Sequence, residues 1–140
     1  MNENDYFMKQ VRQMVQVMNQ IIATVLKLKN QDQPAEIIQS VDTLMKDQFS
    51  FDLNTIIEYP DEELIERLKK DYDLNDEVIA LIGDLLFEIA HSGQDAYPKL
   101  KLFKKSLIIY KYMETSSEIY SIDRHLRIEQ ILSEHPHLLN

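Results

Sequence analysis

The sequence predicts an all-α fold, a single domain of five or six helices, and three observations carry that prediction. Apolar residues recur at steps of three and four along most of the chain, alternation with a period of two is nowhere sustained, and the 140 residues include only 2 Gly and 4 Pro. A sandwich or barrel needs many tight turns, whereas so few breakers leave long helices joined by short loops. A chain of this length buries one adequate core, and two cores would each be marginal. Residues 1–140 therefore read as one domain, with an N-terminal helical hairpin over 1–50 and repeat-like antiparallel hairpins over 60–134.

The first helix starts from Asn4 or Asp5, either of which suits an N-cap. Phe7, Val11, Met14, Met18, Ile21, Val25 and Leu28 follow at alternating steps of four and three, the pattern of an amphipathic helix of about six turns. Met8, Val15, Ile22 and Leu26 widen the apolar stripe beyond a coiled-coil seam. A stripe so broad needs two neighbours within the chain, or one neighbour and a second copy in a homodimer through helix one. Asn30-Gln31-Asp32-Gln33 breaks the period, and Pro34 suits the first turn of a second helix that carries Ile37, Ile38, Val41, Leu44, Met45 and Phe49.

Phe51 to Tyr59 is short and mixed, with room for one helical turn around Leu53 to Ile57. Pro60-Asp61-Glu62-Glu63 opens the next helix, because proline and acids both favour a first turn whose free N–H groups carry partial positive charge. That helix ends near Lys70. Asn75 caps a fourth, with Val78, Ile79, Ile82, Leu85, Leu86 and Ile89 as its apolar face and Gly93 as its stop. A fifth runs from about Pro98 to Glu114. The last starts after Ser121, contains Ile122, Leu126, Ile128, Ile131 and Leu132, and ends before Pro136.

Ile82-Gly83, with Leu86 a turn later and Phe103 and Ser106-Leu107 on the following helix, resembles a tetratricopeptide repeat. This helix-turn-helix unit binds proteins when stacked in arrays. The resemblance implies that the two helices approach closely at Gly83 and that the hairpin serves protein binding. Two features depart from the repeat: its first helix here is about three residues too long, and Lys99 replaces the usual alanine. No second copy of the unit is visible, although solenoids need about three. Asn4-Asp5-Tyr6-Phe7-Met8-Lys9 ahead of a long helix, together with Asp61-Glu62-Glu63-Leu64 and the repeat-like tail, also resembles an uncharacterised family of small bacterial all-helical proteins. That second resemblance implies no activity.

Composition excludes several chemistries. With no cysteine there is no disulfide, no thiolate nucleophile, no iron–sulfur cluster and no cysteine-ligated zinc. No charged run, apolar stretch and small-residue cleavage site open the chain, and no apolar run approaches the roughly 18 residues of a membrane span, so a cytoplasmic protein is expected. The net charge of -9 is uneven: residues 31–96 hold 17 acidic and 4 basic groups, whereas 97–140 hold 5 and 7. Non-specific nucleic-acid binding needs a dense cationic track, which this chain lacks.

The search for reactive groups is short. Glu88 and His91, three apart, share a helical face and form half of the ligand set of a helical-bundle di-iron site, but no second Glu-x-x-His exists. His125 and Glu129 form a further i, i+4 pair, and His135 and His137 flank Pro136 near the end. No Gly-rich phosphate loop, nucleophile elbow or His-Glu-x-x-His is present. On the helix from Pro98 to Glu114, two apolar lines (Leu100, Phe103, Leu107, Tyr110 and Leu102, Ser106, Ile109, Met113) leave Lys101, Lys104, Lys105, Ile108, Lys111 and Tyr112 on the remaining face. Lysines around an aliphatic and an aromatic residue suit an acidic, partly apolar partner, unless the last helix covers that face. The reading is thus a non-catalytic interaction or scaffold module with a protein partner and no cofactor. The alternative is a helical-bundle metal protein or enzyme centred on Glu88 and His91.

Overall fold

The computed structural model describes residues 3–118 and 120–139, and the elements it shows there are all helical. Seven α-helices follow one another: α1 (Glu3–Asn30), α2 (Ile37–Gln48), α3 (Leu53–Glu58), α4 (Leu64–Tyr72), α5 (Asp76–Ala90), α6 (Lys99–Ser116) and α7 (Ile122–Glu134). Short 3₁₀ turns at Pro34–Glu36 and Asp61–Glu63 lead into α2 and α4, and another, Pro136–Leu139, follows α7. The class agrees with the sequence; the count of five or six falls short by α3. That helix is short because it is built on a local device: the Asp52 carboxylate accepts from the Thr55 backbone N–H (2.9 Å) and from its hydroxyl (2.8 Å), satisfying donors that a single turn would leave open.

The first helix is also longer than its periodicity suggests, 28 residues, about eight turns. It is already helical at Glu3, so neither Asn4 nor Asp5 is its cap. Val11, Met18, Ile21 and Val25 on its central line are buried, and the helix packs against both α2 and α5. The broad stripe thus finds two neighbours inside the chain over most of its length. At its end Asp32 adopts φ +56°, with Gln33 N–H bonded to the Leu28 carbonyl at 2.9 Å. This left-handed step closes the helix and lets α2 return alongside.

The other caps fall where side-chain chemistry puts them. Asn75 accepts from Val78 N–H at 3.1 Å to open α5, and Ser121 accepts from Arg124 N–H at 3.1 Å to open α7. α4 runs to Tyr72, two residues past Lys70, and stops at Asp73 in the left-handed region.

The core is contiguous and draws on all seven helices, with α5 at its centre: nine of its residues are buried. Gly83 permits the closest approach. A Cβ there would stand 2.8 Å from Ile109 Cγ2, nearer than carbon atoms pack, so any side chain would push α6 away. Ser106, fully buried, donates to the Gly83 carbonyl at 2.9 Å and fixes the register of the pair. The α7 helix is tied in by Arg127, which donates to Asp84 (3.2 Å) beside the Tyr110 hydroxyl (2.7 Å). Burial raises the Asp84 carboxyl and holds the Tyr110 phenol firmly protonated. No helix among the described residues is long and apolar enough to cross a membrane.

Candidate protein-binding notch

The lysine face of α6 is largely used inside the chain. Lys105 is only 2% exposed; its ammonium donates to the Tyr59 carbonyl and to Asp61 (2.8 Å). Lys101 reaches Glu58 at 3.4 Å, Lys104 donates to the Leu138 carbonyl, and the Tyr112 hydroxyl donates to Asp76 at 2.8 Å with Lys69 against it. Ile108 and Tyr112 are half-buried, and Lys111 is exposed. The face is therefore a strip on which the chain segment from Glu58 to Asp76 docks, and the cover comes chiefly from that segment rather than from α7. The acid-rich middle of the sequence and the basic helix that follows it satisfy one another, a pairing invisible when each is read alone.

The Glu88–His91 pair straddles a helix end, since α5 closes at Ala90 with His91 as its capping residue. His91 Nδ1–H donates to the Phe87 carbonyl (3.0 Å), which leaves Nε2 to accept from the Gln130 amide (3.1 Å). Its ring packs between Phe87 and Phe103, at centroid distances of 4.4 and 4.6 Å. Both nitrogens are occupied, and the ring serves as a packing element joining α5, α6 and α7. His125 lies 2.9 Å from Glu129 on the outside of α7. His135 packs on Phe103 at 5.2 Å, with His137 a further 6.4 Å away. Among the described residues, no three His, Asp or Glu side chains gather as a metal site would require.

Sequence reasoning missed a different surface. Phe7 has the same helical phase as Val11, Met14 and Met18, so α1 directs it towards the core, yet it is 45% exposed. The first turns of α1 overhang the body of the molecule. Beneath them is a notch of about 390 Å³, roofed by Phe7, Val11, Met14 and Val17 and floored by Phe49, Phe51 and Tyr72. Phe51 stacks against Phe49 and packs at a tilt on Tyr72, with centroids 5.2 and 4.5 Å away, and the Tyr59 hydroxyl lies 3.1 Å from that of Tyr72. Gln10, Gln13, Gln48, Ser50 and Asn75 form an uncharged rim, and Asp73 is the one charged group among the described lining residues. The four-three spacing marks Phe7 as apolar and in phase with the core line, but nothing in the spacing marks the gap beneath it.

A second depression, about 560 Å³, lies along the other flank of α1 between Val15 and Asn19 and the residues Ala80, Leu81 and Met113. It carries both Glu77 and Arg124 on its edge and no aromatic side chain. Anchoring contacts at interfaces come mainly from aromatic and long apolar side chains in pockets, which favours the notch.

Compared with known proteins, the chain matches no family model, no curated protein and no solved structure. The likeness to a tetratricopeptide hairpin rests on the residues quoted for it.

Proposed function

We propose that this chain is a non-catalytic protein-interaction module that receives an amphipathic helical segment in the notch beneath the start of α1. The observation that carries the reading is Phe7, an aromatic with core-facing phase left 45% exposed over an aromatic floor. A helix presenting apolar side chains would complete the layer that α1 begins, as helix-in-groove recognition does elsewhere. Met14 on the roof adapts to different side chains at little cost. The rim amides hydrogen-bond to a partner backbone or side chain without demanding charge, and Asp73 favours a basic residue at one edge.

Selection of helical peptides from a displayed library against the full chain tests the reading. The expected winners share an apolar stripe with Lys or Arg on its flank. In methyl-labelled protein they shift the Met14 resonance more than that of Met113, which lies outside the notch. Selected peptides that perturb α6 or α7 instead, or winners unaffected by Phe7→Asp, would overturn it.

A further inference from the structure

The notch is bordered by an exposed ridge formed by Met8, 47% exposed, in line with the exposed Arg12 four residues on. Tyr6, 59% exposed, lies on the opposite flank of Phe7 in line with Lys9. Ridge and notch therefore occupy one end of one helix, the arrangement that two-fold association requires, because an isologous patch must supply both the knob and the hole.

Charge points the same way. Arg12, exposed, continues the Met8 flank. Facing it across such an axis would be the notch edge, where Asp73 is the charged residue among the described lining residues. A ridge that is apolar with a cation beside it thus sits next to a hole that is apolar with one carboxylate on an otherwise uncharged rim. From these we infer that the notch receives the first turns of α1 of a second copy of this chain, so that two chains pair reciprocally through their α1 N-terminal ends. The inference rests on the reading of the notch as a docking site and names its occupant. One helix end per chain gives less than the about 1,600 Å² of a standard interface. Pairing is accordingly weak and concentration-dependent, with a dissociation constant in the micromolar range.

The same ends compete with another exposed apolar face, that of Ile122 and Leu126 on α7, 65% and 55% exposed. Neither of those residues lines either of the two depressions along α1. It is the internal control.

Sedimentation equilibrium of the full chain across the micromolar range, with Phe7→Asp, Met8→Asp and Leu126→Asp, tests the inference. The wild type and Leu126→Asp are expected to rise from 16.6 kDa towards twice that mass. Phe7→Asp and Met8→Asp are expected to stay at 16.6 kDa with unchanged helical circular dichroism and, below the dissociation constant where the wild type is also monomeric, unchanged melting. In mixed labelled and unlabelled wild type, isotope-filtered NOEs between the Met8 methyl and the Phe49 or Tyr72 ring are expected, a readout that needs no variant. A wild type that stays monomeric, or a dimer broken by Leu126→Asp and not by Met8→Asp, would overturn it. A monomer that still takes selected peptides in the notch refutes the second copy alone. One that takes none refutes the docking site as well.

Discussion

The two ends of the apolar line on α1 obey the same spacing and meet opposite fates. Around Met18 and Ile21 the line is fully buried against α2 and α5, whereas at Phe7 it overhangs the molecule and lines a cavity. Helical phase decides the direction in which a side chain points; only a facing element decides whether it is covered. The consequence is that an aspartate in the same phase should be ruinous at one end and harmless at the other.

The largest expected effect is therefore Met18→Asp. It leaves an unpaired carboxylate in a site with no solvent contact, and a loss above about 4 kcal/mol, enough to prevent folding, is expected by denaturant titration. Against it stands the unchanged melting expected of Phe7→Asp. A folded Met18→Asp chain, or an unfolded Phe7→Asp one, would erase the contrast.

Next comes the α5–α6 contact. Gly83→Ala forces a methyl group to within 2.8 Å of Ile109 Cγ2, and overpacking of this kind costs about 1–3 kcal/mol. Adding Ile109→Ala, which removes the clashing Cγ2 methyl, should make Gly83→Ala cost less than it does beside Ile109 if the strain is local. An equal cost would show that the backbone, and not the Ile109 side chain, has taken up the displacement.

The smallest effect sharpens the comparison at α3, next to the notch floor. Hydrogen bonds from the Thr55 backbone and side chain hold the Asp52 carboxyl below its ordinary value. A folded pKa below the unfolded one gives stability that is complete above the unfolded value and fades as pH falls through the lowered folded value. Asp52→Ala should cost about 1 kcal/mol at neutral pH. Asp52→Asn should retain most of the cap and flatten the acid limb of the stability curve below about pH 4. An unaltered acid limb in Asp52→Asn would show that other carboxylates govern it.

Much of the fold was legible because its devices are local. Asn75 and Ser121 announce caps by residue type, Pro34 and Pro60 mark entries, and the α1 spacing names Met18 and Ile21 as core. Two things were less so. The α3 helix was legible only as one turn around Leu53 to Ile57, because six residues are too few for a period to show, and its cap, Asp52 three before Thr55, went unread. The lysine face of α6 looked open because its cover, Glu58 to Asp76, lies about 40 residues earlier in the chain, as the Lys105–Asp61 pair shows with a separation of 44. Helical periodicity carries no information on which distant segment meets a given face. For the same reason Phe7 was legible as apolar and in phase, while the gap beneath it was not.

The contact at Gly83 also bears on how sequences of this fold can drift. Because the space beside Gly83 is already filled by Ile109, and the Gly83 carbonyl is held by Ser106, the three positions form one unit of inheritance. A larger residue at 83 is tolerated only where 109 has first become smaller. In any set of descendants of this chain, positions 83 and 109 should change together and in opposite directions of size, while residue 106 remains small.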